Sequence, residues 1–355
     1  MRIAQVAPLV ESCPPALYGG TERVVSYLTE ELVRLGHTVT LFASGDSVTA
    51  AELVPCSPRA LRLDPARPDP LAQHLVMIDR VAAMAAAFDI IHFHTDMLQL
   101  LLFSRLRQKI VTTTHGRLDT PGLARLFATF PTLPLVSISD SQRRPVPDAC
   151  WAATIPHGLP ADLYRPGDGQ GGYLAFVGRT SPEKGIEDAI AIARRAGMRL
   201  RIAAKVDAAD AAYFAERVEP LLAHPLVEFV GELDDRGKAA LLGGARALLF
   251  PIDWPEPFGL VMIEAMASGT PVIAYPRGSV PEILEDGLTG RLVEGIDAAV
   301  AAVAGVAALD RRRIRQRFEE RFTAGLMARR HVELYRRLIG PGRPSQAAAP
   351  DTVAA

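Results

Sequence analysis

An α/β fold built twice, as two parallel sheets each covered by helices, follows from three features of this sequence. Short apolar runs alternate with helical stretches along most of the chain, the pattern of repeated strand-helix-strand units. That pattern is interrupted at Arg165-Pro166-Gly167-Asp168-Gly169-Gln170-Gly171-Gly172, a linker-like segment rich in Gly and polar residues, and then restarts. With 355 residues and 49% hydrophobic side chains, the chain exceeds one ordinary core and has material for two buried sheets.

The elements read in order as follows. Residues 2–8 form an apolar run that ends in proline, as a central strand does. Residues 21–35 carry Val24, Val25, Leu28, Leu32 and Leu35 on one helical stripe, and Gly36 stops them. Strands are then expected at 38–43, 90–94, 110–114 and 135–138, with helical stretches between. After the linker they are expected at 173–177, 200–204, 227–230, 247–250 and 272–274. The strand 247–250 ends at Pro251, and a loop with Glu256, Pro257 and Gly259 leads into an apolar helix that runs to Ala267 before Gly269. The basic stretch from Asp310 through Arg321 to Leu338 is helical in character. Residues 341–355, with Pro, Ser and Ala, are expected to be a disordered tail.

Composition excludes several function classes. A net charge of −1 argues against nucleic acid as a main partner, because phosphate backbones need a basic excess. Cys13, Cys56 and Cys150 are odd in number and form no C-x-x-C pair, which favours a reducing compartment without disulfides or a zinc site. The polar start Met1-Arg2-Ile3-Ala4-Gln5 does not read as a signal peptide. Apolar runs such as 98–103 fall far short of the 18 or so residues that cross a bilayer. The expectation is a soluble, cytoplasmic protein.

The most informative run is Glu256-Pro257-Phe258-Gly259-Leu260-Val261-Met262-Ile263-Glu264. Its two carboxylates stand eight positions apart, one in the loop and one inside or beside the helix. Two glutamates on a helix are usually solvated surface charges. Here Glu264 sits among Val261, Met262, Ile263, Ala265 and Met266, and a carboxylate in apolar surroundings needs a partner. Backbone N–H groups near Phe258, Gly259 and Leu260 would point out of a helix N-terminus, where phosphate oxygens bind. Carboxylates that take hydroxyls, beside a helix start that takes phosphate, suit a sugar nucleotide.

Five further features bear on function. Arg179 and Lys184 lie at the carboxyl end of a predicted strand, where open α/β sheets bind ligands, and Gly178 and Gly185 let the backbone approach closely. The bland alternative is a solvated loop. Gly19 and Gly20 precede the first helix, after the first strand. His115 closes the strand 110–114, either as a cleft residue or as a structural cap. His92 and His94 share one face with Asp96 two positions on, a candidate metal pair with no further ligand motif; no D-x-D occurs. Gly167 to Gly172 also fits G-x-G-x-x-G, but it precedes a strand and opens no helix, so it is a poor dinucleotide fingerprint.

The glutamate run resembles the E-x7-E signature of the retaining glycosyltransferases of family 4, which have the GT-B fold of two Rossmann-like domains facing a cleft. The resemblance continues through Gly269-Thr270-Pro271-Val272-Ile273, Gly278-Ser279-Val280-Pro281-Glu282 and Glu285-Asp286-Gly287-Leu288-Thr289-Gly290. Upstream, the stretch from Val177 to Gly185 resembles the family's diphosphate-binding loop, and Tyr18-Gly19-Gly20-Thr21-Glu22 its glycine-rich loop. It spans roughly residues 2–338. It implies an acceptor-side domain at 1–165, a donor-side domain at 173–322 and a terminal helix at 323–340 that crosses back to the first domain. It implies Arg179 and Lys184 on the diphosphate, Glu256 on sugar hydroxyls, Glu264 on the ribose and His115 on the donor sugar. Substrate contacts are implied at Gly19, Gly20, Phe258, Gly259 and Leu260. The co-substrate implied is a nucleotide sugar, with no metal or other cofactor. The runs Phe42-Ala43-Ser44-Gly45-Asp46 and Asp253 to Gly259 look most like a bacterial branch that uses UDP-glucose.

The acceptor stays open: a small molecule, a glycan or, given Arg311, Arg312, Arg313, Arg315 and Arg317, a lipid at a membrane surface. Alternating arginines are more often a solvated helix face. The alternatives to a sugar transferase are a nicotinamide oxidoreductase, which the misplaced glycine motif disfavours, and a non-catalytic sugar-nucleotide-binding module. The intact set of Arg179, Lys184, Glu256 and Glu264 speaks against the latter.

Overall fold

The computed structural model describes residues 1–105 and 109–340. The tail expected at 341–355 lies outside the described residues. Two wholly parallel sheets form the molecule. The first holds β1 (Arg2–Val6), β2 (Thr38–Ser44), β3 (Glu52–Ser57), β4 (Ile90–Phe93), β5 (Ile110–Thr113), β6 (Leu135–Ser137) and β7 (Trp151–Thr154), in the order β3-β2-β1-β4-β5-β6-β7. The second holds β8 (Tyr173–Arg179), β9 (Arg199–Lys205), β10 (Val227–Gly231), β11 (Ala247–Phe250), β12 (Val272–Ala274) and β13 (Gly290–Leu292), in the order β10-β9-β8-β11-β12-β13. This is the expected pair of α/β layers with a GT-B arrangement.

Strand order reverses beside β1 in the first sheet and beside β8 in the second. A crevice opens at the carboxyl ends of strands where the order reverses, which is where such sheets bind ligands. Gly19 and Gly20 follow β1, His94 follows β4, Arg179 ends β8, and the Glu256 loop follows β11. Topology alone therefore carries these residues to facing edges.

Sequence reading missed β3, β7 and β13. β3 is an edge strand with Pro55 inside it and only Val54 and Ser57 buried, and β13 is only three residues long. Edge strands tolerate proline and polar side chains, so they leave no continuous apolar run to read.

The basic stretch near the end is helical, as expected, with a break in it. It divides into Arg311–Arg321 and Ala324–Ile339. Thr323 caps the second segment, its Oγ1 accepting from Leu326 N at 3.3 Å. At this break the chain meets the end of the first half: Leu159 N donates to Phe322 O at 2.9 Å and Ala324 N to Leu159 O at 2.7 Å. A Cβ on Gly158 would lie 2.4 Å from Thr323 O, so only glycine permits the approach. The final helix then packs on Gly20–Arg34, burying Met327, Val332, Leu334 and Tyr335. The preceding helix holds the second half together. Arg311 donates to Gly167 O, Gly243 O and Thr270 Oγ1, and Arg315 to Tyr164 O and Ala267 O. These two arginines tie backbone carbonyls and are not the solvated charges that alternation suggested.

Candidate active site

A cleft of about 620 Å³ runs between the two sheets. His115, Arg179, Lys184, Glu256, Glu264, Gly19, Gly20, Phe258, Gly259 and Leu260 all line it. The structure thus brings together the ten residues to which the resemblance gave substrate contacts, while His92, His94 and Asp96 lie outside the lining.

Two helix starts meet there. Gly20–Arg34 begins after Gly19, and Leu260–Ala267 after Gly259; neither start has a side-chain cap. The first N–H groups of both helices are therefore open to anionic oxygens. Gly259 adopts φ 79°, where a side chain is strained, and a Cβ there would lie 2.8 Å from Met262 Cε. A Cβ on Gly19 would press on Pro15 at 2.8 Å, and one on Gly20 would touch Leu260 of the opposite helix at 3.6 Å. Gly19 thus allows tight packing within the first half, and Gly20 sits at the contact between the halves.

Both glutamates are buried, Glu256 at 7% and Glu264 at 4% exposure, and each has a lysine. Lys184 Nζ donates to Glu256 Oε2 at 2.6 Å, and Trp254 Nε1 donates to the same oxygen at 2.8 Å. Lys184 also lies 4.3 Å from the centre of the Trp254 ring. Lys184 was expected at a loop surface; its side chain is instead only 15% exposed, because the turn Pro182–Lys184 folds it against the Glu256 loop. Lys238 Nζ donates to Glu264 Oε1 at 2.7 Å and lies 3.1 Å from Asp235. Asp235 pairs in turn with Arg23 of the first half. Arg179 is compensated as well: Glu183 lies at 2.9 Å, Asp207 at 3.8 Å and Asp210 at 3.9 Å.

The Glu256 loop is braced from behind by the segment after β12. Ser279 N donates to Glu256 O at 2.9 Å, and Ser279 Oγ to Phe258 O at 3.0 Å. Gly278, at φ 58°, would place a Cβ 2.3 Å from Glu256 N. On the first half, Ser139 Oγ donates to Pro257 O at 2.7 Å.

His115 is stacked on His157 at 5.1 Å, and His157 packs edge-on against Phe258 at 4.9 Å. Burial pushes the His115 imidazole down to about 3 and holds His157 well below the usual histidine range, so both are neutral. The candidate metal pair is engaged by protein groups. His92 contacts Tyr335 Oη and Thr113 Oγ1, and His94 contacts His115 and Gln5. Asp96 instead accepts from His115 N at 3.4 Å. Among the described residues no three His, Cys, Asp or Glu side chains converge as a metal site.

Sequence reasoning missed Lys238, Trp254, Arg23 and His157. Trp254 lies inside the quoted run, two positions before Glu256, and its indole N–H was the available signal. Lys238 had only a weak one, a cation in the first turn of the Asp235–Gly244 helix behind the Asp234 cap.

Comparison with known proteins gives the same division of the chain. Residues 167–323 match the family described as Glycosyl transferases group 1, and residues 18–144 match Glycosyltransferase Family 4. A phosphatidyl-myo-inositol mannosyltransferase of Mycobacterium tuberculosis is 28% identical over 396 residues, 98% of this chain and 100% of that protein. Glycogen synthase of the same organism is 38% identical over 152 residues, which cover 40% of this chain and 36% of that protein. Among solved structures, AviGT4, a glycosyltransferase involved in avilamycin A biosynthesis, superposes with a TM-score of 0.71 at 26% identity, over 95% of this chain and 98% of that one. Sucrose-phosphate synthase from Thermosynechococcus elongatus superposes with a TM-score of 0.77 at 22% identity, over 95% and 98%. Two family matches in order, one on each side of a cleft built at the strand-order reversals, lead to one conclusion: the chain belongs to the family 4 glycosyltransferases of the GT-B fold.

Proposed function

We propose that the protein is a retaining hexosyltransferase that takes glucose from UDP-glucose and delivers it to a small-molecule or glycan acceptor. The observation that carries this reading is the pairing of each buried glutamate with a lysine at a helix start. Lys184 and Trp254 share Glu256 Oε2, so Oε1 has no hydrogen-bond partner among the described residues and is available to a sugar hydroxyl. Arg179, Lys184 and the open N–H groups at Leu260 supply positive charge for the diphosphate. Breaking the anomeric bond puts negative charge on the leaving oxygens, and one preorganised donor facing it lowers the barrier by roughly 2.7–4 kcal/mol. Glu264, deeper and held by Lys238, takes the ribose, and His115 meets the sugar. No metal or other cofactor enters this reading.

The choice of glucose and uridine rests on the run from Asp253 to Gly259 and its resemblance to a UDP-glucose-using branch. A structural neighbour, Anabaena HepE, was solved in complex with UDP and glucose; at 19% identity it supports the fold alone. A mannose donor with a lipid acceptor is the second reading, favoured by the mannosyltransferase that matches the full chain. The buried carbonyl contacts of Arg311 and Arg315 weaken it, since those side chains are withdrawn from any headgroup.

Thermal-shift screening against UDP-, GDP- and ADP-sugars, followed by transfer assays, decides the donor. The two glutamates test the site. Glu264→Gln is expected to weaken UDP and UDP-glucose alike, by roughly 1.5–3 kcal/mol for a charge-assisted bond. Glu256→Gln is expected to leave UDP affinity nearly intact while turnover falls. Titration calorimetry paired with transfer rates reads both, and loss of UDP binding by Glu256→Gln alone would mean that the roles are reversed.

A further inference from the structure

The two ring nitrogens of His115 have different surroundings. Nε2 lies 2.9 Å from His94 Nδ1. Nδ1 is buried and has no hydrogen-bond partner among the described residues. His94 Nε2 lies 2.8 Å from Gln5 Oε1. The Gln5 amide nitrogen donates to the Tyr335 hydroxyl at 3.1 Å, and that hydroxyl lies 2.7 Å from His92 Nδ1. These groups form one continuous line from the core of the first half to the cleft.

A line of neutral imidazoles has a polarity. Gln5 Oε1 can only accept, so His94 carries its proton on Nε2. His94 Nδ1 is then a bare lone pair, and the contact with His115 requires the proton on His115 Nε2. His115 Nδ1 is thereby left as an acceptor. The missing partner at that atom supports the same polarity independently. With the Gln5 amide turned over, every proton would shift and a buried N–H would stand there with nothing to receive it, the rarer of the two kinds of unsatisfied group. Burial keeps His92 and His94 well below the usual histidine range, so one proton per ring is the rule along the line.

We propose that Gln5 and His94 are positioning residues that hold His115 as its Nε2–H tautomer and so present the donor sugar with a hydrogen-bond acceptor at Nδ1. This rests on the reading that His115 faces the sugar. A sugar hydroxyl that meets Nδ1 has to donate, which fixes the direction of its hydrogen. Neither Gln5 nor His94 is among the residues lining the cleft, and both act through His115.

The test reads the tautomer directly. In ¹⁵N-histidine spectra of the full chain, with the His115 signals assigned by their loss in His115→Ala, wild type is expected to show a protonated Nε2 and a bare Nδ1. A protonated Nδ1, or an even mixture, overturns the proposal. Gln5→Glu gives His94 a carboxylate partner, stabilises its doubly protonated form and moves the His115 proton to Nδ1. The expected cost is roughly tenfold in turnover, the size of one neutral hydrogen bond, with UDP affinity unchanged. Wild-type turnover in a folded Gln5→Glu protein whose His115 proton has moved also overturns it. Should Gln5→Glu not fold, Gln5→Leu removes the acceptor and is expected to give mixed tautomers; a pure Nε2–H form there is the opposite result. Absence of any transfer from UDP-glucose would strike the functional reading alone, since the spectra need no sugar.

Discussion

Lys184 has two roles, and they separate in experiment. In the proposed reading it faces the leaving diphosphate, and in the structure it neutralises the buried Glu256. Lys184→Ala is expected to lower turnover by about a hundredfold or more. It also strands Glu256 with Trp254 Nε1 alone, at a cost to stability of about 2 kcal/mol. Initial rates together with urea unfolding read both, and a rate loss no greater than the loss of folded protein would remove Lys184 from the chemistry. That these residues meet in one cleft was legible because they lie in one short run: Glu256, Gly259 and Glu264 fall within nine residues. Their partners were not. Lys184 and Glu256 are 72 positions apart, and Lys238 and Glu264 are 26 apart, so only the folded chain pairs them. Arg311 shows the reverse error, since a charge that looks solvated in a periodic run is folded under to hold carbonyls.

At the scale of elements, the segment from Gly278 to Glu282 works as a brace for the Glu256 loop. Gly278 is the point of closest approach, so Gly278→Ala drives a methyl into the backbone of Glu256 and strains a left-handed φ. The expected result is a folded protein, destabilised by about 1–2 kcal/mol from the backbone strain, in which turnover falls further than UDP affinity. Calorimetry and rates compared with wild type check this; unchanged turnover would show that the loop has another support. Central strands were readable because both faces are largely buried: β11 is continuously apolar, β1 is apolar but for Arg2 and Gln5, and β8 is apolar up to Gly178 and Arg179. Edge strands β3 and β7 are not continuously buried and carry no such signal. The resemblance put the start of the terminal helix at 323, but the contact that sets the break there, with Leu159 on the other half, could not be read from the local sequence.

Across the whole molecule, charge and burial join the two halves. Glu264, Lys238, Asp235 and Arg23 alternate in sign from the second half to the first. Glu282 accepts from Asp140 N at 2.7 Å and Ser141 N at 2.6 Å, and Tyr18 N donates to Glu232 at 2.9 Å. These contacts tie the two walls of the cleft to each other through groups that reach its floor. The buried imidazoles set the acid stability. His92, His94, His115, His157 and His331 are all held below their ordinary values, chiefly by burial. The unfolded chain then binds more protons than the folded one as pH falls below about 6.5, so stability is full above that value and is lost toward lower pH. Glu22, pushed up to about 7 by burial, and Asp96, also raised, act in the opposite sense and offset part of the loss. The expected net slope below pH 6 exceeds the roughly 1.4 kcal/mol per pH unit of a single proton, and His331→Phe reduces it by about that amount. Urea midpoints measured from pH 7.5 to 5 provide the check; a flat profile would contradict the neutral burial of these rings. The returning helix, finally, has a bearing on biosynthesis. The first 165 residues leave the ribosome with Gln5 and His92 facing a place that only the Tyr335 hydroxyl satisfies, and that residue is among the last of the described chain to be made. The first domain to be translated is thus the last to be completed, and it closes its core only after the second has emerged.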